Sequence, residues 1–130
     1  IVGKPRDQHE AMFEAATAAL DAVEAAMVPG NTFGDVFTAH AKAMDAHQQS
    51  RNRLNACGYS LGARYAPSWM DGPMFYDGNP TKIEPNQVLF AHMILMDSET
   101  NTAMCPGRTY LTGEKGPKAL TKHPMEFITL

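Results

Sequence analysis

Between Asp7 and Met27 the apolar residues Phe13, Ala16, Leu20, Val23 and Met27 recur every three or four positions, the spacing that paints one stripe along an α-helix. Pro5 or Asp7 stands where a start signal belongs, and Pro29-Gly30 ends the helix, because proline breaks the hydrogen-bond ladder and glycine accepts the left-handed cap. A second helix opens at Thr32, whose hydroxyl caps free N–H groups while Asp35 sits at the positive end of the helix dipole. Its stripe is Phe33, Val36, Phe37, His40, Ala41 and Met44, and the charges and amides from Asp45 to Asn55 read as an exposed exit. Ten prolines and glycines then fall between Gly58 and Gly107, and the short apolar runs among them favour strands. Val88 to Met96 is apolar on both alternating faces and predicts a central strand buried from both sides. Asp97 to Thr102 reads as a polar turn, with Ala103-Met104 and Arg108 to Thr112 returning antiparallel. Gly113-Glu114-Lys115-Gly116 turns again, and Ala119-Leu120 and Phe127-Ile128 finish the sheet or pack on its helices. The pattern predicts one α+β unit over 1–130, mainly helical in 1–54 and mainly β in 55–130.

Composition narrows the function classes. At 130 residues, 44% hydrophobic and 19% charged, the chain holds one domain with a genuine core and is neither disordered nor collagen-like. Eleven Lys and Arg against fourteen Asp and Glu leave a net charge of −3 with no basic block, so no nucleic-acid footprint is present. The longest apolar run, Val88 to Met96, falls well short of the roughly 20 residues a membrane helix needs. No membrane partner is expected. No secretory signal pattern opens the chain, and a cytoplasmic location is the expectation. The opening Ile1-Val2-Gly3-Lys4-Pro5 lacks an initiator methionine and reads as a strand end running into a helix, as in a cut chain.

Few residues stand out chemically. P-loop, dinucleotide-binding and nucleophile-elbow patterns are missing, and Cys57 and Cys105, far apart and without cysteine neighbours, read as buried thiols rather than a zinc site. His40 lies on the buried stripe of the second helix and reads as packing, whereas His9, His47 and His123 read as solvent-facing. His92 interrupts an apolar strand, on the face of Val88, Phe90, Ile94 and Met96. It is either a core histidine bonded to a neighbouring strand or a ligand or acid/base group projecting into a cleft. Gly58 and Gly62 bracket a strand-like tetrapeptide and let the backbone approach something closely. Tyr59, Tyr65, Trp69, Phe75 and Tyr76 crowd aromatic surface into a short span, either lining a ligand pocket or sealing a core corner.

Five passages in order resemble the pita-bread hydrolases, which comprise methionine aminopeptidase, Xaa-Pro aminopeptidase (aminopeptidase P), Xaa-Pro dipeptidase (prolidase) and creatinase. They are Ile1-Val-Gly-Lys-Pro5, Val28-Pro-Gly-Asn-Thr32, Cys57-Gly-Tyr-Ser-Leu-Gly62 with Tyr65-Ala-Pro-Ser-Trp69, Ile83-Glu-Pro-Asn-Gln-Val88, and Gly107-Arg-Thr-Tyr-Leu-Thr-Gly-Glu-Lys-Gly116. The resemblance covers essentially the whole chain. It implies the C-terminal part of a pita-bread fold, with two N-terminal helices packed on a curved antiparallel sheet. In the family's metallopeptidases two metal ions (Mn, Co, Zn or Fe) are held by two aspartates, one histidine and two glutamates, and the bridged water attacks the scissile carbonyl.

The same resemblance places the family histidine on Tyr59, the first glutamate on His92 and the second near Gly107, and sets both aspartates on strands before Ile1. No metal is therefore expected to be held by this chain. The implied function is peptide C–N hydrolysis by an Xaa-Pro dipeptidase or aminopeptidase P-like protein with a degenerate metal site, as a homodimer acting on a dipeptide or other small molecule. The alternatives are a metal-independent, creatinase-like amidinohydrolase or amidohydrolase, and a non-catalytic binding module on the same scaffold. His92 and Tyr59 are the candidate catalytic pair, and Tyr65, Trp69 and Arg108 the candidate substrate-binding residues.

Overall fold

The computed structural model describes residues 1–62, 64–70 and 72–130. Two helices come first, α1 (Asp7–Ala26) and α2 (Phe33–Ala46), as the stripes predict. The alanines of α1 let the helices and sheet approach closely: Ala15, Ala16 and Ala19 are fully buried beside Met12, Leu20 and Val23. Arg6 precedes α1, its backbone N–H donating to His9 Nδ1 while its guanidinium donates to the carbonyls of Thr100 and Asn101. At α2 the expected cap is present. Thr32 Oγ1 accepts from the Asp35 N–H at 3.0 Å, and Asp35 Oδ2 accepts from the Thr32 backbone N–H at 2.7 Å, closing a reciprocal box that holds the Asp35 carboxyl below its usual range.

Five strands form one antiparallel sheet in the order β2 (Met74–Tyr76), β1 (Ala56–Ser60), β3 (Val88–His92), β6 (Gly107–Gly113) and β7 (Gly116–Ala119). A separate pair joins β4 (Leu95–Asp97) to β5 (Thr102–Met104). The Gly113–Gly116 turn closes the β6–β7 hairpin as expected. The helices pack against each other and against the sheet, so the core lies between these two layers. No helix among the described residues is long and apolar enough to cross a membrane.

Three expectations are corrected. The apolar run from Val88 to Met96 is two strands in two sheets: β3 ends at His92, Met93 donates its N–H to the Pro106 carbonyl, and β4 then pairs with β5. It is also buried on one face only, with Leu89 and Ala91 inaccessible toward the helices and Val88, Phe90 and His92 half-buried on the other side. Cys105 is exposed, because it follows β5 at the surface, while Cys57 on β1 is fully buried. The alternatives left open for the C-terminal residues both occur: Ala119 ends β7, and Phe127 packs edge-on against Phe13 of α1, with ring centroids 5.2 Å apart.

Candidate active site

The candidate site grows from the register of three strands. On β1 a glycine is required at position 58: φ is +153°, and a Cβ there would lie 2.7 Å from the Phe75 ring and against the Phe90 carbonyl oxygen. This close approach brings β1 onto β3 with Gly58 opposite Ala91 and Tyr59 opposite Phe90. On the other side of β3, Phe90 faces Thr109 and His92 faces Gly107. Because directly opposed residues in an antiparallel ladder point to the same face, Tyr59, Phe90, His92 and Gly107 share the face turned away from the helices.

Three rings meet there. Tyr59 lies edge-on to Phe90 at 5.6 Å and to His92 at 5.4 Å, and Phe90 stacks on His92 at 5.4 Å. The two candidate catalytic residues, 33 positions apart in sequence, are thus neighbours. His92 Nε2 is buried without a hydrogen-bond partner, and burial holds the imidazole below its ordinary pKa, so it is neutral at pH 7. Trp69 Nε1 donates to the Tyr59 hydroxyl at 2.9 Å. Indole N–H is a donor only, so the phenol oxygen accepts here and its own proton is left to point elsewhere.

The candidate substrate-binding residues divide. Trp69, 64% exposed, is tied to the site through Tyr59, whereas Tyr65, 83% exposed, has no described contact with Tyr59 or His92. For Arg108 the expectation is corrected. It pairs with Ala91 and so points to the helix face, where its Nη1 lies 3.8 Å from Glu24 Oε2 of α1. It stands there beside the fully buried Tyr110, whose phenol is pushed up by burial and by Glu24. One residue of parity moves Arg108 out of the site. The ring of Phe90 and a cavity of about 340 Å³ bordering Gly107 had no distinct sequence signal; Met104, Met125 and Phe127 line that cavity.

A dinuclear metal centre does not fit these residues. The three positions offer a phenol, one imidazole and no side chain, with no carboxylate to balance divalent charge. Among the described residues no group of three or more His, Cys, Asp or Glu is arranged to hold a metal ion. His92 and Tyr59 instead offer a neutral proton acceptor beside a proton donor.

The chain is 25% identical over 130 residues to an uncharacterised hydrolase/peptidase of Sinorhizobium fredii, covering 99% of this chain and 32% of that protein. Among solved structures, the Xaa-Pro dipeptidase of Bacillus anthracis superposes with a TM-score of 0.89 at 16% identity, covering 99% of this chain and 35% of that one. The X-Pro aminopeptidase of Thermotoga maritima gives 0.87 at 15% identity, with the same two coverages. The chain therefore spans about a third of the length of these relatives. The two structural likenesses give the fold, two helices on an antiparallel sheet as in the pita-bread hydrolases. Residues 1–117 also match the family model for metallopeptidase family M24, and the chain belongs to that family.

Proposed function

We propose that this chain is the C-terminal portion of a hydrolase related to Xaa-Pro dipeptidase and aminopeptidase P, cleaving a C–N bond of a small substrate at a site whose metal centre is degenerate. The observation that carries this is the contact of Tyr59 with His92, facing Gly107, at the places where the family resemblance puts a histidine and two glutamates. His92, neutral and half-buried on this face, takes a proton from water as the oxygen bonds to the substrate carbon. Tyr59, already accepting from Trp69, donates toward the charge that develops on the substrate. When the C–N bond breaks, the proton held by His92 passes to the leaving nitrogen.

A second reading keeps this pair and changes the substrate: a metal-independent, creatinase-like amidinohydrolase or amidohydrolase. A neutral, half-buried His92 beside a phenol with a free proton favours it, because that pair works without a carboxylate or a cation.

The test uses the full-length protein after dialysis against a chelator. Proline release from Ala-Pro and urea formation from creatine are assayed beside elemental analysis. Turnover is expected to survive the chelator and to fall at least 100-fold in H92Q and in Y59F. Proline release separates the first reading from the second. Roughly stoichiometric, tightly held metal, with turnover that needs it and is lost in H92A, overturns the degenerate-site reading. The 130-residue chain alone is expected to release negligible proline even with added Mn²⁺ or Co²⁺.

A further inference from the structure

Across the β3–β6 ladder His92 faces a residue with no side chain, and the packing gives the reason. A Cβ on Gly107 would lie 2.8 Å from Cζ and 3.0 Å from Cε2 of Phe90, and 3.1 Å from the Ala91 carbonyl oxygen. No left-handed backbone angle accompanies this glycine, so it answers to space and not to conformation. The Phe90 ring is itself held. It stacks on His92 within 18° of parallel, meets Tyr59 edge-on, and belongs to the middle strand of the sheet. Gly107 and Phe90 are therefore two halves of one arrangement, in which the ring occupies the volume that any side chain at 107 would enter.

We propose that Phe90 sets the ligand class of this face: its ring fills the side-chain space at Gly107, so β6 offers no ligand beside His92 and an uncharged, apolar part of the substrate packs there instead of a divalent cation. The proposal rests on the Tyr59–His92 face being the substrate site. It places the loss of metal binding in the packing as well as in the ligand types, because restoring a carboxylate at 107 requires removing the ring. Phe90 is half-buried, which leaves part of it available to a substrate.

Its packing half is tested without any substrate, by urea unfolding of the wild type, F90A, G107A and F90A/G107A. G107A is expected to raise the unfolding equilibrium constant at least tenfold in the wild-type background and less than threefold in F90A. Equal losses in both backgrounds overturn the proposal. The ligand half uses Zn²⁺ alone, titrated into G107E and F90A/G107E while the His92 imidazole resonances are followed. F90A/G107E is expected to bind at least tenfold more tightly than G107E, and equal affinities overturn the exclusion. Should G107E fail to fold, the alanine cycle decides. Full turnover in both H92Q and Y59F would end the proposed catalytic reading and leave the measured coupling between Phe90 and Gly107 unchanged, so the two failures are distinguishable.

Discussion

Acid should destabilise this fold through the buried histidine of α2. His40 of α2 is 1% exposed, its Nδ1 is buried without a partner, and its ring lies 5.5 Å from Phe37, over which the Arg53 guanidinium sits at 5.9 Å. Burial, reinforced by the Arg53 and His92 charges and opposed by Asp45, lowers its pKa from 6.5 to about 4. Above pH 6.5 the ring is neutral in both folded and unfolded chains, and it adds no pH dependence. As pH falls below 6.5 the unfolded chain takes the proton first, so stability declines; the decline levels off once the folded chain is also protonated, below about 4. The gap from 6.5 to about 4, at roughly 1.36 kcal/mol per pH unit, amounts to about 3 kcal/mol. Urea unfolding of wild type and H40Q at pH 7.5, 6, 5 and 4 isolates the effect, since the surface carboxylates titrate alike in both. The difference between the two curves should shrink by about 3 kcal/mol across that range. Parallel curves, or an imidazole resonance that titrates at or above 6.5 in the folded protein, would refute the reasoning.

The remaining predictions follow from single contacts. T32A removes the acceptor for the Asp35 N–H and the hydroxyl that bonds its carboxylate, and should cost about 1 kcal/mol in urea unfolding, with no change in the slope of the transition. G58A sets a Cβ against the Phe75 ring at a positive φ, and about 3 kcal/mol or more should be lost, read as a fall in the thermal midpoint. In the native protein a thiol reagent should modify the exposed Cys105 and spare Cys57, whose buried thiol is pushed up; equal rates at both would contradict the burial of β1.

How much of this is legible in the sequence depends on what each pattern measures. Helical stripes report burial on one side of a cylinder, and α1 and α2 begin and end within a residue or two of the stripe limits. The Thr32 box and the Gly113–Gly116 turn are local chemistry, readable from a few neighbouring residues. An apolar run measures hydrophobicity and not which side of a sheet is covered. Val88 and Phe90 read as core in the sequence, and His92 reads either way, because aromatic and aliphatic residues on a half-buried sheet face look like those that fill an interior. The same run hides the break after His92, where Met93 turns to the Pro106 carbonyl with no glycine or proline in β3 to mark it. Arg108 shows the sharpest limit. Ordered motifs locate β6 correctly beside β3, but side-chain direction alternates at every residue, so a placement good to one position still leaves the face undecided. The ladder resolves it: His92 opposite Gly107 puts Gly107 on the face turned away from the helices, and Arg108, one step on, must turn to Glu24 and the helices. The candidate site is thereby left with an imidazole, a phenol and an aromatic wall, a set suited to moving protons and poorly suited to holding cations.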